Sequence, residues 1–357
     1  MKKFFLISTL LVIVCIAAVF FALQRPMPPS PTPALQATPP LNASAITPTP
    51  KAATAQATAS KKQPLIDALP LAQAAQSAAA HYEYSISLPP YSQPLGKGDF
   101  DRLNPNHFYA VTMLLEDTNQ QVSLTLNQYR FIHPATIEVS LSGSQFSSAV
   151  ATVVDPMTQQ TIATSRLIKK AEVWQGEIAG QADWPPELNI QVRANPTNAK
   201  PVALTANARY YQPSATLLTI AQPYPHKSDL VIPLQLEVKQ SGSYRIRANL
   251  FTPDGTPVSH LVEKQKLSEG KQVFHLKAHH SVLEPFSAKS GPSRFTLKTF
   301  VIEKMSPMPG KRAQFGDSKV SEYEITDFYF DALERQPYQP SAAEQQRLSY
   351  LQKMAGN

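Results

Sequence analysis

Residues 4–23 run for twenty positions without a charged side chain. In a bilayer so apolar a segment has one single-pass solution, a helix that satisfies its own backbone hydrogen bonds. At 1.5 Å per residue it spans roughly 30 Å, the thickness of the hydrocarbon core. A secretory signal has a shorter apolar region of about 7–15 residues and a small-x-small cleavage site. Here the run ends Phe20-Phe21-Ala22-Leu23-Gln24. The sequence therefore predicts a retained anchor, with secretion after signal cleavage as the alternative. Cys15 follows Val12-Ile13-Val14, not the small residues of a lipoprotein signal, and lies in mid-span.

Lys2 and Lys3 precede the run and only Arg25 lies close behind it. Positive charge stays on the cytoplasmic side. Lys2 and Lys3 thus read as topology determinants. Residues 1–3 form a cytoplasmic stub, 4–23 meet the lipid bilayer, and the bulk of the chain is exported. The expected location is a bacterial inner membrane, single-pass, with the C-terminal bulk periplasmic.

The formal charge of +7 belongs to the beginning of the chain. Lys2, Lys3, Arg25, Lys51, Lys61 and Lys62 precede the first acid, Asp67. The remainder balances 27 basic against 26 acidic residues. A nucleic-acid binder concentrates Lys and Arg on one face, so no nucleic-acid partner is expected. The single cysteine lies in the apolar run. The exported part thus has no disulfide, thiolate zinc site or cysteine nucleophile.

Residues 24–80 are rich in Pro, Ala, Thr, Ser and Gln and contain no aromatic residue. Such a stretch cannot bury enough surface to offset its ordering entropy. It reads as a disordered spacer reaching roughly 40–45 Å as a coil, with a short alanine-rich helix near 70–80.

From Tyr82 onward, short runs of β-branched and aromatic residues alternate with Pro, Gly, Asn and Asp. That spacing predicts a mainly β fold of two sandwiches, at 81–212 and 213–334. Ile137, Val139 and Leu141 alternate with Glu138, Ser140 and Ser142, one face buried and one wet. Thr252-Pro253-Asp254-Gly255 reads as a turn, since Gly accepts the positive φ that tight turns require. Gly96–His107 is polar and breaker-rich and reads as a loop. The tail, 335–357, carries a short helix near 344–354, with Leu348 and Leu351 on one face.

Gly242–Phe251, the Asp254-Gly255 turn and Gly291–Leu297 resemble the immunoglobulin-like sandwich modules of exported, membrane-anchored bacterial proteins. The resemblance implies a fold and no activity, since sandwiches host many functions.

Candidate sites were weighed in that frame. His275 and His279 share a strand face some 13 Å apart, with His280 pointing away and Lys277 between them. They lack the further ligands a metal needs. Asp99, Asp101, Asn104 and Asn106 miss the glutamate of a calcium loop, so they cap their own loop backbone. Trp174, Trp184, Tyr210, Tyr211 and Tyr224 compose a possible stacking platform. Trp184, Tyr210 and Tyr211 are its best candidates for glycan or partner contact, because Pro185-Pro186 resists burial in a central strand. Lys169-Lys170 reads as a solvated turn. No Gly-x-Ser-x-Gly elbow or ordered triad is present, and no cofactor motif.

These features lead to a non-enzymatic, membrane-tethered envelope protein with an interaction or adhesion-accessory role, binding a protein partner through its sandwiches. A glycan- or peptidoglycan-binding module is the alternative, and a hydrolase the third reading.

Overall fold

The computed structural model describes residues 71–116, 119–288 and 291–355. The apolar run at 4–23 and the linker through residue 70 lie outside the described residues. Among the described residues no helix is long and apolar enough to cross a membrane.

The described chain opens with helix α1 (Leu71–Ile86), longer than the stretch near 70–80 that its alanines mark. Ala75, Ala79 and Ile86 are its buried positions and fall on one face. Two short elements follow, strand β1 (Ser92–Pro94) and helix α2 (Phe100–Leu103). The loop expected at 96–107 thus contains one helical turn.

Ten strands then build the first sandwich. One sheet has the order β2 (Val111–Leu114), β3 (Gln121–Leu126), β5 (Thr136–Ser142), β9 (Val173–Ala179), β8 (Ile168–Lys170). The other has the order β4 (Arg130–Ile132), β11 (Val202–Tyr211), β10 (Glu187–Pro196), β6 (Phe146–Val154), β7 (Thr161–Arg166). With β3 and β4 as a split strand A, the sheets read A-B-E-D and A′-G-F-C-C′, the immunoglobulin arrangement. β4 runs parallel to β11, as that assignment requires. Burial along β5 alternates as its sequence dictates, and Ile137, Val139 and Leu141 are fully buried. Lys169 and Lys170 lie in edge strand β8, not in a turn, paired with Trp174 and Val173.

The second sandwich holds β12 (Ala215–Ile220), β13 (Tyr224–His226), β14 (Asp229–Val238), β15 (Gly242–Phe251), β16 (Pro257–Leu267), β17 (Gly270–His279), β18 (Ser293–Lys304), β19 (Gln314–Phe315), β20 (Asp317–Ser318) and β21 (Glu322–Phe328). Strands β12, β14 and β17 form the A-B-E sheet, and β16, β15, β18 and β21 the C′-C-F-G sheet. The turn at 252–255 forms, with Gly255 at φ 84°. Tyr244 pins the start of strand C, its hydroxyl donating to the carbonyls of Gln240 (2.7 Å) and Ser214 (3.0 Å).

Strand β1 extends the C′ edge of this second sandwich, pairing Ser92, Gln93 and Pro94 with Leu261, His260 and Ser259. Further along, the Asn249 carboxamide donates to the Arg102 carbonyl at 2.7 Å. The segment 91–103, which sequence groups with the first sandwich, is therefore hydrogen-bonded to the second. Its Leu-Pro-Pro-Tyr-Ser-Gln-Pro composition lacks any period-2 pattern, because β1 is a three-residue edge strand whose proline faces no partner.

A turn of helix α3 (His280–Leu283) links β17 towards β18, and helix α4 (Ala342–Met354) packs against α1. Leu348 and Leu351 are half-buried. A capping box starts α4: Ser341 Oγ accepts from the Glu344 amide, and the Glu344 carboxylate accepts from the Ser341 amide.

Candidate functional site at the joint between the sandwiches

Each sandwich encloses its own apolar core. The concave, polar surfaces lie where the two meet, and three local features place them.

The first is a crossing. Residues 314–318 pass from β19, on the C′-C-F-G sheet, to β20, beside β12 of the opposite sheet. Gly316 makes the crossing possible: a Cβ there would stand 2.4 Å from the Ala215 carbonyl oxygen and 2.8 Å from Ile302 Cγ2. The crossing presents Phe315 to the first sandwich. The Arg130 guanidinium lies over its ring at 4.7 Å, and the Tyr211 ring is 5.3 Å away. Phe315 is thus a wedge between two first-sandwich side chains.

The second feature is Asn106, which fixes Arg130. Its side-chain oxygen accepts from the Arg130 amide (2.7 Å), and its amide nitrogen donates to the Arg130 carbonyl (2.8 Å) and to Gln128 (3.0 Å). The guanidinium then donates to the Pro105 carbonyl at 2.5 Å.

The third is a bulge in β18. Thr299 has φ 63°, unusual for a β-branched residue. The register against β15 shifts between Arg247 and Asn249. A bulge changes which side chains face outward. Ile302 enters the core, and Glu303 joins Arg245 and Arg247 on the outer face. Arg245 grips Glu303 with two nitrogens at 2.7–3.1 Å, and Arg247 reaches it at 3.2 Å. Burial lowers the pKa of both Arg130 and Arg247, with Glu303 opposing the shift. Each stays charged, because arginine starts so far above neutrality.

Two recesses flank the Phe315 wedge. One, of about 240 Å³, is bordered by Asn106, Gln128, Arg130, Phe315 and Asp317. The other, of about 370 Å³, is bordered by Tyr211, Pro186, Lys304, Lys311 and Arg312. Glu187 bonds both Arg209 of its own sandwich and Arg312 of the other, a salt bridge across the joint.

The sequence-derived candidates distribute unevenly. Trp184 and Tyr210 are core residues, 9% and 2% exposed, with rings 5.2 Å apart. The Tyr210 hydroxyl meets His133 Nδ1 at 3.1 Å, and burial raises its pKa. The flat platform they were expected to offer is therefore a plug in the first sandwich. Pro185-Pro186 turns the chain so that Trp184 points inward, and the Tyr210 amide donates to the Pro186 carbonyl at 3.2 Å. Trp174 packs at the edge of the same core, against Phe146. Tyr211 alone reaches the joint; Tyr224 is exposed on β13.

His279 and His280 are buried, with ring centroids 4.5 Å apart. The expectation that His280 points away fails because β17 ends at His279 and a helical turn begins at His280. His279 Nδ1 accepts from the Ser281 amide, capping that turn. His275 is exposed. Asp99 accepts from the Gly96 amide (2.7 Å) and Asp101 from the Tyr109 hydroxyl (3.0 Å), while Asn106 serves Arg130.

Arg130, Arg245, Arg247, Glu303 and Phe315 carry no sequence motif. The available signal was Arg245 and Arg247 at i and i+2, opposite Tyr244 and Ile246 on the other face of one strand. What lies against them depends on a register no local pattern reveals.

No protein-family model and no curated relative matches the chain. Solved structures with a similar fold include a DUF4785 family protein from Legionella pneumophila, 15% identical over 59% of this chain, with a TM-score of 0.42. A tetra-tandem repeat from the extending region of a large adhesion protein is 10% identical over 58% of this chain and 48% of its own, at 0.21. Salmonella alpha-2-macroglobulin is 10% identical over 62% of this chain and 15% of its own, at 0.28. The chain spans 57% of the length of the Legionella protein. At these TM-scores the likenesses carry no functional information. The sandwich assignment rests on strand order and pairing.

Proposed function

We propose that the chain is a non-enzymatic interaction protein of the bacterial cell envelope, tethered to the inner membrane by residues 4–23, with its sandwiches in the periplasm. It binds a protein partner at the joint. One observation carries this reading: the joint's recesses are furnished by both sandwiches, with the aromatic wedge of Phe315 and Tyr211 between cationic walls. Aromatic residues and arginine are the side chains that anchor protein interfaces. The tether keeps the head near the membrane and raises its effective concentration for partners there. The glycan alternative loses two of its three leading side chains to the core of the first sandwich.

In-cell photocrosslinking tests the reading. A photoreactive residue replacing Tyr211 or Lys311 should capture one envelope protein, and the same probe at exposed Ile168 should not. Equal capture at all three positions, or none at the joint, would overturn it. Recovery of the mature N-terminus tests the anchor: an intact apolar run supports it, and a chain beginning after residue 23 opposes it.

A further inference from the structure

We infer that the joint contains an oxyanion site, in which Arg130 and Arg247 receive a carboxylate from an acidic segment of the partner; this rests on the protein-binding reading above. Three guanidinium groups meet there around one carboxylate. Arg245 occupies both oxygens of Glu303, leaving Arg247 a single shared contact at 3.2 Å. The Nε of Arg247 is buried and has no hydrogen-bond partner. A buried donor without an acceptor is costly, and a charged one more so. Arg130 spends one nitrogen on the Pro105 carbonyl and lays its face on Phe315. Among these four side chains, two positive charges exceed the negative. The strained Thr299 keeps this arrangement aimed at the joint; such strain persists where the surroundings over-determine it, often at binding sites.

The occupant's chemistry follows. A guanidinium fork matches an oxyanion with paired acceptors. A recess of about 240 Å³ fits one side-chain head group, not a backbone with stacked bases. Asp317 borders the same recess, so a doubly charged phosphate would face more repulsion than a single carboxylate. Glutamate or aspartate from an extended acidic segment satisfies each condition.

The test uses the full chain in neutral detergent micelles, titrated calorimetrically with a capped tetraglutamate peptide. Inorganic phosphate and capped tetraglutamine form the comparison arms. Tetraglutamate should bind saturably and more weakly as salt is raised; tetraglutamine should not bind. Arg130→Gln and Arg247→Gln should each weaken binding roughly tenfold or more. Arg247→Lys keeps the charge but loses the Nε donor, and should also weaken it. Glu303→Gln removes the competing carboxylate and should tighten it, the opposite of what simple damage to the joint would do. Arg166→Gln, on the far edge strand β7, should leave it unchanged. Thermal melts identify any variant that fails to fold, and then Arg247→Lys and Glu303→Gln decide. Absence of saturable heat, indifference to both arginines, or phosphate binding as tightly as the peptide would overturn the proposal. If the peptide binds as stated and Tyr211 crosslinks no protein, the protein-partner reading falls while the anion site stands.

Discussion

The first and second sandwiches share a strand plan but differ in what they bury. Among the described residues, the buried polar side chains are Ser92, Ser214, Asn249, Ser259, His279, His280, Ser293 and Glu303, all in the second sandwich or on segments docked to it. The first sandwich buries apolar side chains and tyrosine. Polar burial in the second sandwich marks attachment points. Ser92 and Ser259 join β1 to β16, with hydroxyl oxygens 3.2 Å apart. Asn249 holds the chain beyond α2, with His260 Nδ1 at 2.6 Å from its oxygen. Glu303 serves the joint. One sandwich is a closed unit, and the other is a hub that receives the N-terminal strap and its neighbour.

Truncating each core is the strongest way to break this comparison. Phe131→Ala in the first core and Phe274→Ala in the second should each cost about 3–5 kcal/mol, because both rings are fully buried. Hydrogen exchange should show Phe131→Ala loosening β5 and β10 first, and Phe274→Ala loosening β14 and β17 first. Simultaneous loss of protection in all four strands in both variants would mean the sandwiches unfold as one unit.

Acidification should separate the sandwiches without a mutation. Burial holds the pKa of His260 at about 4, helped by Arg102 and Arg247, and that of His279 at about 4, helped by His280. Both start from 6.5. Between those values the unfolded chain binds protons that the folded chain refuses. The stability due to these neutral histidines is complete above pH 6.5 and is lost as pH falls towards 4. Both belong to the second sandwich. Exchange in β16 and β17 should therefore accelerate between pH 6.5 and 4.5 more than in β5 and β10. Equal acceleration in both sandwiches would sink the assignment.

Most of the strands could be read from sequence because their signal is local. Thr136–Ser142 is found at its expected bounds, and Tyr244–Phe251 differs only by starting at Gly242. Strands β1, β4, β8, β13, β19 and β20 are two or three residues long, too short for a period-2 pattern. Their pairing is set by distant neighbours. The candidate site was less legible for the same reason. Tyr211 was found as an aromatic, whereas Arg130 and Phe315 meet across 185 positions of sequence. Trp184 misled because local proline chemistry says nothing about which way a turn points its tryptophan.

Removing the wedge sharpens the comparison at the joint itself. Phe315→Ala deletes the stack with Arg130 and the contact with Tyr211 while leaving both cores intact. The expected loss is about 1–2 kcal/mol, the sum of one cation–π and one aromatic contact. Its signature is a loss of coupling, in which a single unfolding transition splits into two. An unsplit transition would assign the coupling to the Glu187 bridge and the Arg130–Asn106 contacts.

The smallest effect tests whether the strap's helix depends on the other end of the chain. Ser341→Ala removes the hydroxyl that accepts from the Glu344 amide and frees the carboxylate that accepts from Ser341. The Glu344 carboxyl is held below its usual range by the Ser341 side chain and then its backbone, so this partner is lost too. Losing such a cap costs about 1 kcal/mol of helix stability. Helix α4 has no fully buried residue and leans on α1, so neither helix has a deep core to hold it. Exchange should therefore quicken in α1, at Leu71–Ile86, as well as in α4, while β14 and β17 keep their protection. Acceleration confined to α4 would show that the alanine face of α1 is held by the second sandwich alone.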